Sequence, residues 1–284
     1  MRRLPGGPLL ALWAALLPGA LAQPTPQGPE SGPLRLGPSQ MFKLVLSQPY
    51  GSNRLEYDMV VPLRETESLR TFVDAKVFAQ EQPLIDPTPG TGFIQAYGQS
   101  ARLGVRGLVE RGTGFWGASA GYDSLWQQGA YFQQAGLALE YNRQDYQLVL
   151  TSGVPFSAPS LQLAPNTPLA SVNLQLSLPT GYPGLAVQPR VYVVGSDSTG
   201  SAVGGQLQFT YSFARTWSAT LASNYDALTG ASGSLTFQVV LPQRSGAREA
   251  ARISPTMING FAGAVGNNGS RVIRLDNEPA SSGN

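Results

Sequence analysis

The chain has 284 residues and a formal net charge of +2, and it contains neither cysteine nor histidine. Those absences exclude disulfide frameworks, lipid-modified cysteine anchors, His-dependent catalytic triads and His metal sites, and the small net charge offers no electrostatic footprint for nucleic acid. Charged residues make up only 13% of the chain, about half of the roughly 25% usual in soluble domains.

Arg2 and Arg3 precede an apolar run from Leu9 to Leu17, which Pro18 and Gly19 break before a small-residue site, Ala20-Leu21-Ala22. This pattern predicts a cleaved secretory signal peptide over residues 1–22. The run is too short to cross a bilayer, which takes about 20 apolar residues, and no later stretch reads as a transmembrane helix. Residues 23–40, rich in Pro, Gly and Gln, read as a flexible leader.

From Met41 onward the sequence offers twelve candidate strands. The first nine are Phe42–Gln48, Arg54–Leu63, Arg70–Gln80, Ser100–Glu110, Gly114–Tyr122, Ala130–Asn142, Tyr146–Phe156, Ala170–Leu178 and Leu185–Gly195. The last three lie between Gly204 and Pro242 and show the pattern most cleanly. Leu207, Phe209, Tyr211 and Phe213 alternate with Gln206, Gln208, Thr210 and Ser212. Trp217, Ala219, Leu221 and Tyr225 then alternate with Ser218, Thr220, Asn224 and Asp226, and Leu235, Phe237, Val239 and Leu241 with Ser234, Thr236 and Gln238. A period of two gives each strand one apolar and one small polar face. The predicted fold is all-β: a twelve-stranded antiparallel transmembrane β-barrel over residues 41–242, preceded by a signal peptide and followed by an irregular tail, residues 243–284.

Connections after the even strands are short, and most after the odd strands are expected to be longer, with Glu81–Gln99 and Ser157–Leu169 standing out. That asymmetry is the periplasmic–extracellular asymmetry of outer-membrane barrels. The aromatics Tyr57, Phe72, Phe78, Phe115, Trp116, Tyr122, Trp126, Tyr131, Tyr141, Tyr146, Phe156, Tyr182 and Trp217 cluster near strand ends, as interfacial girdles do. Pro189 removes a ladder donor inside the ninth strand, so a bulge or a later strand start is expected there. Gly195–Gly205 reads as a surface loop, and Asp123 and Ser124 as a loop cap.

The polar faces carry charges in register: Glu56 and Asp58; Asp74 and Lys76; Arg102, Arg106 and Glu110; then Glu140 and Arg190. An Arg or Lys on the lipid face costs about 2–4 kcal/mol near the midplane, so these residues are expected to point into the lumen and pair there. They would form either a charged pore lining or a salt-bridge lattice inside a plugged barrel. No constellation for an enzyme emerges, and no cofactor or metal site.

The segment Arg54–Gln80, with a strand ending in Pro-Leu, an acidic turn and a strand starting near a Phe, resembles the opening of the inverse autotransporter β-domain of intimin and invasin. Arg102–Ser157 resembles its continuation, through a Gly-rich strand, the GYDS and LALEY stretches and an ending in VPFS. Ser171–Val194 resembles the family's paired strands around a Tyr-Pro turn. The resemblance covers Leu55 to Leu241. It implies an outer-membrane barrel, assembled by the barrel-insertion machinery and bathed in outer-membrane lipid, whose chain returns through the lumen to display a passenger in adhesion. The tail departs from that pattern, since residues 243–284 are too few for an immunoglobulin-like domain of around 100 residues. Arg244, Arg248, Arg252, Arg271 and Arg274 of the tail are candidate partners for lumenal carboxylates. Alternatives are a small passive pore whose tail stays in the periplasm, and a soluble secreted β-sandwich whose apolar faces pack together.

Overall fold

The computed structural model describes residues 38–48, 53–66, 68–82, 94–109, 113–127, 130–156, 166–196, 200–214, 216–227, 230–241 and 273–275. All belong to the unit Pro33–Asn284. The expected signal peptide, most of the leader, Glu110 and nearly all of the tail lie outside the described residues.

The strands are β1 (Ser39–Gln48), β2 (Arg54–Glu65), β3 (Leu69–Gln82), β4 (Ile94–Val109), β5 (Gly114–Gln127), β6 (Ala130–Arg143), β7 (Gln147–Pro155), β8 (Asn166–Pro168), β9 (Ala170–Pro179), β10 (Leu185–Ser196), β11 (Gly200–Ser212), β12 (Trp217–Asp226), β13 (Gly230–Leu241) and β14 (Ile273–Leu275). Twelve of them close an antiparallel barrel in the order β1-β13-β12-β11-β10-β9-β7-β6-β5-β4-β3-β2, and β8 pairs with β14 in a small separate sheet. Closure joins β1 to β13, with Gln40 opposite Leu241 and Gln48 opposite Gly233.

The period of two decides which face is which. Leu55, Leu103, Leu137, Leu139, Val154, Val191, Val203 and Leu221 each remain more than half exposed on the outside. Their neighbours in sequence, such as Glu56, Arg102, Ala138 and Ala222, are buried inside. An apolar belt that rings the molecule far exceeds the few hundred Å² a soluble monomer exposes, so the apolar faces contact lipid and do not pack on each other. This overturns the soluble-sandwich alternative. Among the described residues no helix is long and apolar enough to cross a membrane; the strands do the crossing.

Several local expectations need correction. Strands four and five are longer than the polarity pattern suggested, and the connection between β3 and β4 shrinks to residues 83–93. At one barrel end, the turn end, connections have three to five residues: 66–68, 110–113, 144–146, 180–184 and 213–216. At the opposite, loop end only 83–93 and 156–169 are long, whereas 49–53, 128–129, 197–199 and 227–229 are no longer than the turns. The asymmetry therefore rests on two loops. Gly200–Gly205 is not a surface loop but the start of β11, where Tyr192 lies over Gly204 so closely that a Cβ there would sit 2.3 Å from its ring.

Pro189 causes neither a bulge nor a late start. It pairs in register with Leu207 on β11, and on the β9 side the ladder skips two positions with no register change. Across that gap Gln188 Nε2 donates to Ser177 Oγ at 3.3 Å and Gln175 Nε2 to Gln188 Oε1 at 3.4 Å. Phe72 and Phe115, buried in the lumen, are not girdle residues, nor is Phe78, which packs on the inner cluster of Ala96, Leu125 and Phe132. The girdles are made by others. Tyr97–Trp126 and Tyr122–Phe156 meet near the loop end, with ring centroids 6.4 and 6.1 Å apart. Tyr141–Tyr146, Tyr182–Tyr211 and Phe213–Trp217 meet at the turn end, at 6.0, 6.4 and 6.4 Å.

Candidate functional site in the barrel lumen

Strand parity places Glu56 and Asp58 on β2, Asp74 and Lys76 on β3, Arg102 and Arg106 on β4, Glu140 on β6 and Arg190 on β10 on the inner face. The first two strands interlock through Lys43: its Nζ lies 3.7 Å from Glu56 Oε2, and Arg54 Nε lies 2.7 Å from Glu56 Oε1. Lys76 Nζ reaches Asp58 Oδ2 at 3.9 Å, its direct cross-strand partner. Asp74 stands opposite Arg102 in the β3–β4 register.

Arg102 and Arg106 reach further because β5 and β6 lower their surface for them. Arg106 passes over Gly117, whose missing Cβ would otherwise sit 3.1 Å from Arg106 Cγ. Its Nη2 then donates to both carboxylate oxygens of Glu140, at 3.0 and 3.1 Å. The guanidinium lies over Phe72 at 4.6 Å and near Phe115 at 5.5 Å, fully buried. Arg102 lies over Gly121, where a Cβ would come within 2.3 Å of its Cγ, and donates to Asp123 Oδ2 at 3.3 Å. Asp123 and Ser124 are therefore strand residues of β5, not a loop cap. Arg70, also fully buried, lies 3.4 Å from Glu65 Oε1.

The opposite wall is different. On β11, β12 and β13 the inward positions Gln206, Gln208, Thr210, Thr220, Asn224, Ser232, Ser234, Thr236 and Gln238 are uncharged and half-buried. They hydrogen-bond one another: Thr210 and Thr220 through their hydroxyls at 2.8 Å, Asn224 to Ser232 at 2.6 Å, Gln208 to Gln206 at 2.7 Å. The lumen thus has a packed, ion-paired wall on β1–β6 and a more open wall of amides and hydroxyls on β9–β13. Toward the loop end Tyr192 donates its hydroxyl to Asp226 Oδ2 at 2.7 Å.

Lys43, Arg54, Arg70, Asp123, Tyr192 and Asp226 were not among the expected lumenal contacts. Their polarity in phase with neighbouring inward residues was a usable signal, most clearly for Asp123, which continues the Gly117-Ser119-Gly121 face. Glu110 lies outside the described residues. Among the described residues no group of acids could hold a metal ion.

The mouth of the lumen carries one more feature. Leu169, between β8 and β9, is fully buried against Tyr192 and Val194, both on the inner face. At the loop end β8 pairs with β14 of the tail: Asn166 opposite Leu275, Thr167 opposite Arg274, Pro168 opposite Ile273.

A closed antiparallel barrel with an apolar belt outside and paired charges inside is the architecture of outer-membrane barrel proteins. No protein-family model and no curated protein matches the chain. Solved structures are similar in fold: a membrane protein from a study of in-meso crystallization, with TM-score 0.62, 12% identity and coverage of 83% of this chain and 99% of that one. An outer membrane channel from Pseudomonas putida F1 gives TM-score 0.52 and 10% identity, covering 77% of this chain and all of that one. Outer membrane phospholipase A from Escherichia coli is more distant, with TM-score 0.45, 8% identity and coverage of 72% of this chain and 92% of that one.

Proposed function

We propose that this barrel sits in the outer membrane of a Gram-negative-type cell and carries its own C-terminal segment through its lumen to the cell surface, in the manner of an inverse autotransporter, without catalysis or cofactor. The observation that supports this reading is the pairing of Ile273–Leu275 with Asn166–Pro168. Strand β13 ends at Leu241 at the turn end, whereas Ile273–Leu275 pairs with Asn166–Pro168 at the loop end. On this reading residues 242–272 run from one end of the barrel to the other. Residues 242–272 reach roughly 100 Å when extended, more than twice the roughly 40 Å rise of a strand the length of β13. A path through lipid would strand backbone N–H and C=O groups without partners; a path through the lumen meets the amides and hydroxyls of β9–β13. Composition agrees: residues 253–270 contain no charged side chain, which suits the uncharged wall. The expected signal peptide would deliver the chain to the barrel-insertion machinery, and the lumenal charges named above would hold the barrel walls beside the threaded tail.

A second reading, a passive pore with a periplasmic tail, is favoured by the fold likeness to an outer membrane channel and by the half-exposed neutral wall. Two measurements decide between them. An epitope tag after Asn284 should be stained on intact cells. Because the chain has no cysteine, Thr167→Cys with Arg274→Cys introduces a single cross-strand pair, and oxidation in intact cells should give a disulfide-bonded species of altered mobility. Staining only after permeabilisation, with no cross-link, would leave the pore.

A further inference from the structure

Six inward-facing cations, Lys43, Arg54, Arg70, Lys76, Arg102 and Arg106, each lie within ion-pair distance of a carboxylate. Arg190 does not. It stands in mid-strand on β10, on the open wall, and has no ion-pair partner among the described residues. Its fork is held by neutral acceptors instead: Nη2 donates to Asn173 Oδ1 and Nη1 to Gln206 Oε1 at 3.4 Å. The guanidinium lies 5.5 Å from the Tyr192 ring centroid. The Asp226 carboxylate accepts a hydrogen bond from the Tyr192 hydroxyl at 2.7 Å. Among the described residues Arg190 Nε has no hydrogen-bond partner.

We propose that Arg190 is the anion-recognition site of the lumen, and that its ligand is an oxyanion of the carboxylate or phosphate class. Neutral acceptors orient the guanidinium without cancelling its charge. A carboxylate or phosphate oxygen can replace the long Gln206 contact or take the vacant Nε–H, and such charge-assisted bonds are about twice as strong as neutral ones. The charge is focused because the facing wall is already self-neutralised by ion pairs, and a cleft with low-dielectric walls concentrates the field of an uncompensated charge. Two sources share this chemistry: a solute anion entering the lumen, and a carboxylate of the tail, Glu249, Asp276 or Glu278. The inference does not depend on display of the tail.

The test is the thermal unfolding of the full chain in detergent, titrated with inorganic phosphate against chloride at equal ionic strength. Phosphate at ten times its dissociation constant shifts the unfolding equilibrium about elevenfold. Arg190→Gln should weaken that response at least tenfold, Arg190→Lys should weaken it less, and Lys43→Gln, which removes an ion-paired cation, should leave it in place. If a tail carboxylate occupies the site, phosphate acts only after Glu249→Gln, Asp276→Asn and Glu278→Gln are combined, again in an Arg190-dependent way. A response absent from both backgrounds, or equal with and without Arg190, overturns the proposal. The readout is binding and not tail location, so a chain that fails to display its C-terminus can still pass.

Discussion

Removal of the Glu140 carboxylate tests whether the charged wall is held by its pairs or merely tolerates them. Arg106 is fully buried and makes two contacts to Glu140, at 3.0 and 3.1 Å. At 3.0 Å and an effective dielectric of about 20, the attraction is roughly 5 kcal/mol. Glu140→Gln keeps one acceptor, worth about 1 kcal/mol, but leaves Arg106 without this charge partner, so the expected loss is about 4 kcal/mol, in line with the 3–5 kcal/mol typical of broken buried pairs. Replacing both members, with Arg106→Met and Glu140→Leu, removes the attraction and the desolvation cost together, and the double variant should lie within about 2 kcal/mol of the parent. The assay is equilibrium urea unfolding from detergent micelles, read by the gel mobility of the folded barrel, with Arg106→Met and Glu140→Leu also made singly so that they close a double-mutant cycle. Additive single and double costs, or a Glu140→Gln loss under about 1 kcal/mol, would refute the view that this pair holds β4 to β6.

Other perturbations read other parts of the molecule. Gly104→Ala places a Cβ 2.4 Å from Phe72 Cζ, and the forced ring shift should cost about 1–3 kcal/mol in the same unfolding assay. Leu103→Arg puts a charge on the lipid face, where Leu103 is 61% exposed; a loss of about 2–4 kcal/mol is expected if the belt contacts hydrocarbon at this depth, and a neutral outcome would place Leu103 outside it. Tyr192→Phe removes the bond to the buried Asp226 and should lower stability by about 1–3 kcal/mol.

Much of the barrel was legible in one dimension because its physics is one-dimensional. A strand with lipid on one side and a lumen on the other must alternate, so Leu207, Phe209 and Tyr211 announce their face without any knowledge of their neighbours. The same phase assigned Glu56, Asp58, Asp74, Lys76, Arg102, Arg106, Glu140 and Arg190 to one side. The phase fails where inside and outside are not polar against apolar. Phe72 and Phe115 look like girdle aromatics in sequence, yet they fill the lumen beneath Arg106, and GYDS looks like a turn although it is the middle of β5.

The amino-acid sequence by itself determined the element type and the number of barrel strands, because a two-residue repeat against lipid is a local constraint. Only the tertiary structure decided which charge meets which. Arg106 finds Glu140, 34 residues away in sequence, because strand order and stagger bring β4, β5 and β6 side by side and Gly117 leaves the gap between them open. The register at which β1 closes on β13, and the pairing of β14 with β8, were likewise invisible in the sequence, since both depend on every register in between.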